Sequence, residues 1–437
     1  MYRSGFLRMS AALTMLAALG TASVGARGAA GQSIPMASPE SVGMSSERLE
    51  NLTATLQRYI DTDMIAGAVS LVARDGKVVH YGAQGHRYVE GNDPMPTDAI
   101  FVIMSMTKPI VSTALMMLFE EGHFLLDDPI SKFMPEFENK TVLVESDEGW
   151  SRVPAERPVT FRHVLTHTAG VDPPNSALTE EEREASRRRS TLEETISSEG
   201  PLPLAFQPGE AWNYGSSTDY VALLVERISG QPLERFLQER IFNPLGMVDT
   251  HYNVPAEKVD RVAAVYSPSG PGNTIELSRA PEPRAPTSYF GGVAGLSSTA
   301  ADYFRFAQMI LNGGELDGVR ILSPTTVNLM ISNHTGNLPI YIRGADAYGF
   351  GLGFSMITDP AKAFETLTPG SFGWGGAWGT VFWIDPTERT ISIMMIQISS
   401  YSHFNIRRDF PNMVQQAIVE SYHGGSQVVR GYQSIER

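Results

Sequence analysis

A serine and a lysine three residues apart are the clearest candidates for chemistry in this sequence. Ser105 follows a short apolar run, Lys108 comes three residues later, and an apolar, helix-forming segment then continues to Gly122. Residues i and i+3 share one helical face, so the hydroxyl and the ammonium would be neighbours. A serine needs an adjacent base to act as a nucleophile, and a lysine can serve if burial lowers its pKa. The helix N-terminus adds backbone N–H groups that can stabilise an oxyanion.

The alternative for this stretch is structural: Ser105 would be an N-cap and Lys108 a solvated first-turn residue. Against it, the segment from Ile110 to Phe119 is apolar and predicts a buried helix, in which an unpaired lysine is costly. This is also the only Ser-x-x-Lys in the chain. Both observations favour a catalytic interpretation.

Tyr214 is a second candidate and lies in an irregular loop, Pro208 to Ser217, that leads into a helix. A tyrosine phenol held beside a lysine ammonium has a lowered pKa and can act as general base. The structural alternative is a core aromatic whose hydroxyl is hydrogen-bonded.

The third candidate is a glycine-rich strand around Trp374, Gly375, Gly376 and Ala377. Glycines inside a strand mark the close approach of a ligand or another backbone. An edge strand here would offer the Ala377 N–H as a second oxyanion donor. The alternative is a bulged strand with tight packing.

Composition narrows the function classes. The chain has 437 residues, 42% of them hydrophobic and 19% charged, as expected for a globular protein with a sizeable core. The net charge is −14 and no basic tract occurs, which argues against a nucleic-acid partner. Because the chain contains no cysteine, it can form neither a disulfide nor a lipid-modified cysteine anchor.

Residues 1–30 have the pattern of a signal peptide. Arg3 and Arg8 form a positive region, Met9–Leu19 is apolar, and small residues allow cleavage after Ala26 or Ala30. The apolar region is too short to span a bilayer. We therefore expect a periplasmic or secreted protein without stable membrane insertion after cleavage; an uncleaved anchor is the alternative.

The remaining pattern predicts an α/β fold in which an antiparallel sheet is built from both ends of the chain. We expect the sheet domain to comprise 35–125 together with 290–425, an inserted, mainly helical domain to comprise 126–289, and the active site to lie between them. Helices are expected at 46–60, 159–170, 179–189, 217–228, 233–241 and 409–422, with a capping box at Thr299–Asp302. Strands are expected around a hairpin at Asp75–Gly76 and at 348–354, 371–374, 379–386 and 390–397. Segments 138–156 and 266–288 are expected to be a surface flap and a long loop.

His163 and His167 lie four residues apart on one predicted helix, a spacing compatible with a metal pair. No third ligand lies nearby in the sequence, so structural polar contacts are the preferred interpretation. We expect no metal and no other cofactor.

Together, these motifs resemble the penicillin-recognising serine hydrolases, in particular the class C β-lactamase-like branch that includes the family VIII carboxylesterases. Ser105–Lys108 is similar to that family's nucleophile motif. Tyr214-Gly-Ser216 stands at its Tyr-x-Asn element, and Trp374-Gly-Gly-Ala377 stands where β-lactamases carry Lys-Thr-Gly. The resemblance extends over roughly residues 35 to 425 and implies a β-lactamase/penicillin-binding-protein-like fold.

The departures from the family pattern bear on the substrate. Trp374 (or Gly375, depending on alignment) replaces the motif lysine and Ser216 replaces the asparagine, which weakens the case for a β-lactam or a terminal carboxylate. A tryptophan at the mouth suits an apolar acyl or alcohol group. The Gly-x-Ser-x-Gly signature of α/β-hydrolases is absent from the chain.

The resulting hypothesis is an exported serine hydrolase that cleaves small-molecule carboxylic esters through an acyl-enzyme on Ser105. Tyr214 with Lys108 would act as the base, and the N–H groups of Ser105 and Ala377 would hold the oxyanion. Alternatives are an amidase or peptidase acting on D-amino-acid or linear peptides, a β-lactamase, and a non-catalytic penicillin-binding-like sensor. The substrate-binding residues would be Ser216, Tyr289, Phe290, Trp374, Gly375 and Gly376. The sequence does not determine the oligomeric state.

Overall fold

The computed structural model describes residue 1 and residues 34–187, 190–270, 274–282, 284–340, 347–400 and 404–422. Apart from Met1, the predicted signal peptide lies outside these residues. Within them, no helix is both long and apolar enough to cross a bilayer.

The secondary structure alternates between sheet and helical segments. The helices are α1 (Ser46–Asp61), α2 (Thr107–Glu120), α3 (Phe161–Leu165), α4 (Glu180–Arg187), α5 (Leu192–Glu199), α6 (Ser217–Ser229), α7 (Leu233–Leu237), α8 (Asn243–Leu245), α9 (Ala300–Leu311), α10 (Pro324–Met330), α11 (Pro360–Ala363) and α12 (Ile406–Gln416). The strands are β1 (Gly67–Arg74), β2 (Lys77–Tyr88), β3 (Asp93–Pro94), β4 (Phe101–Val102), β5 (Thr141–Ser146), β6 (Gly149–Pro154), β7 (Val265–Ser269), β8 (Thr274–Arg279), β9 (Ser297–Ser298), β10 (Glu315–Leu316), β11 (Val319–Arg320), β12 (Tyr348–Phe350), β13 (Ser355–Ile357), β14 (Phe372–Gly375), β15 (Val381–Asp385) and β16 (Thr390–Met395).

The principal sheet is antiparallel and has eight strands in the order β12-β13-β14-β15-β16-β1-β2-β3. The two ends of the chain meet at its centre, where β1 pairs with β16 and Val69 lies opposite Met395. Every residue of β1 and β16 is buried, because α9 packs on both strands while α1 packs on β2 and α12. The predicted antiparallel sheet flanked by helices is confirmed.

Several boundaries differ from the sequence expectation. The predicted flap at 138–156 contains the hairpin β5–β6, and the predicted loop at 266–288 overlaps the hairpin β7–β8. Every residue of β6 is exposed, including the apolar Trp150 and Val153, so this part of the flap is a solvated strand rather than irregular backbone. Segment 126–289 therefore carries two hairpins besides α3–α8. Its separation as a domain stays a prediction.

Two predicted helices have different ends. The helix expected to continue to Gly170 stops at Leu165, because His167 and Gly170 have left-handed φ values of 58° and 75°. The closing helix is Ile406–Gln416 rather than 409–422.

The expected capping box at Thr299 is half formed. The Thr299 side chain accepts the Asp302 N–H, whereas the Asp302 carboxylate accepts the Asp249 N–H and the Thr250 hydroxyl. The aspartate thus connects α9 to the segment before β7.

A buried arginine joins the two ends of the chain at the end of the central strand β1. Arg74, at the end of β1, is fully buried and forms a 2.8 Å ion pair with Glu388. Its guanidinium also donates to the carbonyl oxygens of Val42, Gly43, Glu388 and Glu420. All the strong donors of the buried cation therefore have acceptors, which a buried charge requires.

Arg74→Ala should lower the free energy of unfolding by about 3–5 kcal/mol, because it leaves the Glu388 carboxylate buried without its cation. Arg389→Ala is the matched control: Arg389 pairs with Asp75 at the surface and is 51% exposed, so its loss should cost about 1 kcal/mol or less. Chemical denaturation followed by circular dichroism measures both. Equal losses for the two variants would contradict the role of Arg74.

Candidate active site

Ser105 lies in a tight turn directly before α2. This turn, Met104–Met106, has 3-10 geometry and continues into α2 at Thr107. Met104 has a left-handed φ of 47°, which a residue with a Cβ rarely adopts and which costs of order 1–3 kcal/mol. We call Met104–Met106 the nucleophile turn; its strain persists only because the neighbouring structure holds it.

Flanking hydrogen bonds hold the nucleophile turn. The Ile103 N–H donates to the Leu296 carbonyl oxygen (3.0 Å), and the Tyr303 hydroxyl donates to the Met106 carbonyl oxygen (3.0 Å). Thr380 Oγ1 donates to the Ile103 carbonyl oxygen at 3.3 Å. The turn is therefore held by α9, by the segment before β9 and by the segment after β14.

Lys108 is almost completely buried and points at Ser105. It is 1% exposed, and its Nζ lies 3.1 Å from Ser105 Oγ and 2.9 Å from the Val293 carbonyl oxygen. Nζ also lies 4.6 Å from the centroid of the Tyr214 ring. The predicted contact between Lys108 and Ser105 is present; their catalytic roles stay predictions.

Tyr214 presents its ring face, rather than its hydroxyl, to the lysine. Its hydroxyl oxygen accepts a 3.3 Å hydrogen bond from Trp374 Nε1. The ring packs against His167 and Trp374, with centroids 4.9 and 5.1 Å away, and lies nearly parallel to Trp212. Trp374 is only 7% exposed, so it braces Tyr214 from within rather than lining an open mouth.

The glycine-rich strand lies against the nucleophile turn, as a close backbone approach would require. A Cβ on Gly376 would lie 2.5 Å from the Ile103 carbonyl oxygen. β14 ends at Gly375, so Ala377 lies in the following turn and not on the strand. Ala377 is exposed, and its N–H makes no hydrogen bond to any described residue.

A cation lies at this motif although its own sequence lacks one. Arg407, from α12, donates from Nη1 to the Gly376 carbonyl oxygen at 3.4 Å. A Cβ on Gly375 would collide with the same guanidinium. The strand itself carries no lysine, but α12 supplies a guanidinium here from Arg407, which lies 31 residues after Gly376 in the chain.

Two carboxylates not recognised from sequence, the half-buried Asp172 and the buried Asp219, organise the other side of Lys108. Asp172 accepts the Ser216 N–H (3.0 Å) and hydroxyl (2.7 Å). Asp219 accepts the Tyr289 hydroxyl (2.6 Å) and the Val293 N–H (2.9 Å). Burial raises the pKa of both carboxyls, and the charge of Lys108 opposes that rise. Of these two aspartates, only Asp219 stands at a position that the sequence could have singled out, because it occupies the first turn of a predicted helix.

Ser216 and Tyr289 line a cavity of about 760 Å³ beside the lysine, together with Asp219 and Val293. Phe290 does not line this cavity; its ring packs on Tyr252 with centroids 5.3 Å apart and borders a different groove. Ser216 and Tyr289 therefore share one cavity, and Phe290 is not part of its wall.

The two histidines have separate structural environments. His163 Nδ1 accepts the Thr160 N–H in a capping box, and burial, with adjacent arginines, lowers its pKa to about 4. His167 is fully buried among the site aromatics, where burial and then the charge of Lys108 lower its pKa well below 6.5. In the part of the chain that the structure describes, no three His, Cys, Asp or Glu residues cluster as a metal site would need.

The structure thus brings together a serine, a buried lysine, a tyrosine and a glycine-rich strand, and these form the candidate active site. The family model described as Beta-lactamase matches residues 52–412. Protein Rv1367c of Mycobacterium tuberculosis is 33% identical over 364 residues, which cover 80% of this chain and 90% of that protein. Esterase EstB of Burkholderia gladioli is 29% identical over 380 residues, which cover 80% and 90%.

A solved structure agrees in fold. EstCE1, described as a hydrolase with promiscuous acyltransferase activity, superposes with a TM-score of 0.70 at 23% identity and covers 85% of this chain and 98% of its own. The chain belongs to the beta-lactamase family, and it is a serine hydrolase.

Stability should fall as the pH drops from about 6.5 to about 4. The pKa of His163 is lower in the folded state than in the unfolded state. In this pH window its imidazole is therefore protonated in the unfolded chain but stays neutral in the folded chain. His163→Gln should keep the acceptor for the Thr160 N–H, since glutamine serves at this position of a capping box. Over this pH window, the free energy of unfolding of the variant should therefore fall less than that of the wild type. At pH 8 the two free energies of unfolding should differ by about 1 kcal/mol or less.

Melting temperatures at half-unit pH steps measure the effect. An identical acid profile for His163→Gln and wild type would contradict the assignment.

Proposed function

We propose that this serine hydrolase cleaves carboxylic esters through an acyl-enzyme on Ser105. The observation that carries the proposal is the 3.1 Å contact between Ser105 Oγ and the Nζ of the buried Lys108. A serine hydroxyl beside a desolvated amine is the arrangement that nucleophilic catalysis by serine needs. The strained nucleophile turn supports the same assignment, because such strain concentrates at functional sites.

In the proposed mechanism, Ser105 Oγ attacks the ester carbonyl carbon and its proton passes to the Lys108–Tyr214 pair. The Ser105 and Ala377 N–H groups stabilise the oxyanion, and the pair returns the proton to the departing alcohol oxygen. Water then attacks the acyl carbon by the same proton path and releases the acid. Ala377 is exposed and its N–H has no acceptor among the described residues, which supports its role as an oxyanion donor.

The preference for esters is supported by EstB, an esterase that is 29% identical to this chain over 380 residues, and by the absence of a lysine from the glycine-rich strand itself. One observation favours a second candidate, a peptidase or amidase that binds a terminal carboxylate. That observation is Arg407, whose guanidinium contacts the Gly376 carbonyl oxygen beside the proposed oxyanion donor.

We further propose that the mature protein starts after Ala26 or Ala30 and acts in the periplasm or medium. The support is the charge and apolar pattern of residues 1–30. We also propose that the chain consists of a sheet domain and an inserted domain, with the active site between them.

Initial rates on p-nitrophenyl esters, a chromogenic cephalosporin and a D-Ala peptide test the reaction class. We expect the short esters to turn over fastest, and Ser105→Ala to lower kcat by at least about 10³-fold, since removing a serine nucleophile removes the covalent route. Ser112→Ala on the same helix is the matched control and should stay within about two-fold, because Ser112 Oγ is buried without a hydrogen-bond partner among the described residues.

Cephalosporin or peptide turnover that exceeds ester turnover would move the assignment to the amide-cleaving branch. Absence of any Ser105-dependent turnover would contradict the proposed function.

Trp374→Phe should lower kcat by about 2- to 10-fold with little change in KM. It keeps the aromatic packing on Tyr214 and removes only the N–H that donates to the phenol oxygen, a bond worth about 0.5–1.5 kcal/mol. Trp383→Phe is the control, because Trp383 Nε1 is buried without a partner among the described residues. Equal effects of the two substitutions on kcat would argue that Trp374 acts through packing alone.

A further inference from the structure

The cavity beside Lys108 contains positive charge that the proposed mechanism does not use. We call it the arginine cavity; it has a volume of about 760 Å³, and its wall includes Arg279, at the end of β8, and Arg284. It adjoins the nucleophile, since Val293, which lies in its wall, accepts the Lys108 hydrogen bond. A group held here would belong to the molecule whose carbonyl lies at Ser105.

The two arginines reverse the local charge of an acidic protein. The whole chain carries −14, yet both guanidinium groups line one cavity. Among the described residues no carboxylate forms an ion pair with Arg284. Partial desolvation and the like charge of Arg279 lower the pKa of Arg284. A bound anion would relieve that repulsion.

The carboxylate in the wall already has partners of its own. Asp219 accepts the Tyr289 hydroxyl and the Val293 N–H, so its oxygens serve to position the wall. The segment between Arg284 and Tyr289 is also fixed, because Asn253 pairs with both the N–H and the carbonyl oxygen of Thr287. The arginine therefore projects from an anchored segment.

The arginine cavity is separate from the glycine-rich strand, since none of residues 374–377 lines it. A substrate could thus place its reacting carbonyl against that strand and the nucleophile turn while a second group extends past Val293 and Tyr289. Guanidinium groups bind carboxylates through two parallel hydrogen bonds, which gives direction as well as affinity.

We propose that the arginine cavity is a specificity subsite for a carboxylate carried by the ester substrate, with Arg284 as its main contact and Arg279 as its partner. The proposal rests on the ester hydrolysis proposed above and adds the substrate class: esters whose acid or alcohol half is anionic.

Two matched pairs of esters test it. On the acyl side, p-nitrophenyl hydrogen suberate is compared with its neutral methyl ester; on the alcohol side, 4-acetoxybenzoate is compared with methyl 4-acetoxybenzoate. In at least one pair, wild-type kcat/KM should favour the anion by about ten-fold or more, as one charge-assisted contact provides. That preference should weaken as salt is added.

In the pair that shows the preference, Arg284→Gln and Arg279→Gln should each bring the ratio of kcat/KM for the anionic ester to kcat/KM for the neutral ester close to one. Arg284→Gln should leave kcat/KM for the neutral ester within about two-fold of wild type. Arg320→Gln removes the same charge from the β10–β11 hairpin, where Arg320 pairs with Glu315, and should leave the ratio unchanged. No preference in either pair, or a preference that survives both arginine substitutions, would overturn the subsite.

Calorimetry separates this failure from a failure of ester hydrolysis. The full chain carrying Ser105→Ala is titrated with suberate monomethyl ester, with and without Arg284→Gln. Binding that is lost with Arg284→Gln would support the subsite even if no ester were turned over. Absence of binding, or binding indifferent to Arg284, would overturn it whatever the ester kinetics show.

Discussion

The desolvated Lys108 is the constraint on which the rest of the site depends. A buried ammonium or amine needs partners, and here they are Ser105 Oγ, the Val293 carbonyl oxygen and the face of the Tyr214 ring. Each partner comes from a different element: the nucleophile turn, the segment before β9 and the loop before α6. Satisfying one lysine therefore fixes the relative positions of three chain segments far apart in sequence.

The charges around Lys108 divide the site into two sides. On one side, Arg407 lies beneath the glycine-rich strand; on the other, Asp172 and Asp219 position Ser216 and the wall of the arginine cavity. Both carboxyls have raised pKa values because burial outweighs the nearby lysine charge. Lys108 is thus surrounded by a hydrogen-bonded framework rather than paired directly with a single acid.

Local sequence patterns predicted most helices and strands, whereas contacts between residues far apart in the sequence could not be predicted from them. The Ser105–Lys108 contact follows from helical spacing, and the central strands follow from apolar runs between turn residues. In the hairpin β5–β6, the strand β6 was missed because it is exposed along its whole length and its apolar residues, Trp150 and Val153, do not alternate as they do in a half-buried strand. Arg407 was missed because no local pattern connects it to a glycine 31 positions earlier. The orientation of Tyr214, ring toward the lysine and hydroxyl toward Trp374, depends on tertiary packing alone.

The central claim is that Ser105 carries the acyl group between the two halves of the reaction. Acid quenching during turnover of a p-nitrophenyl ester, followed by intact-mass measurement and peptide mapping, tests it most directly. The account predicts a mass increase equal to the acyl group less one hydrogen, located on the peptide that contains Ser105 and absent from Ser105→Ala. An adduct on a different residue, or full turnover by Ser105→Ala, would contradict it.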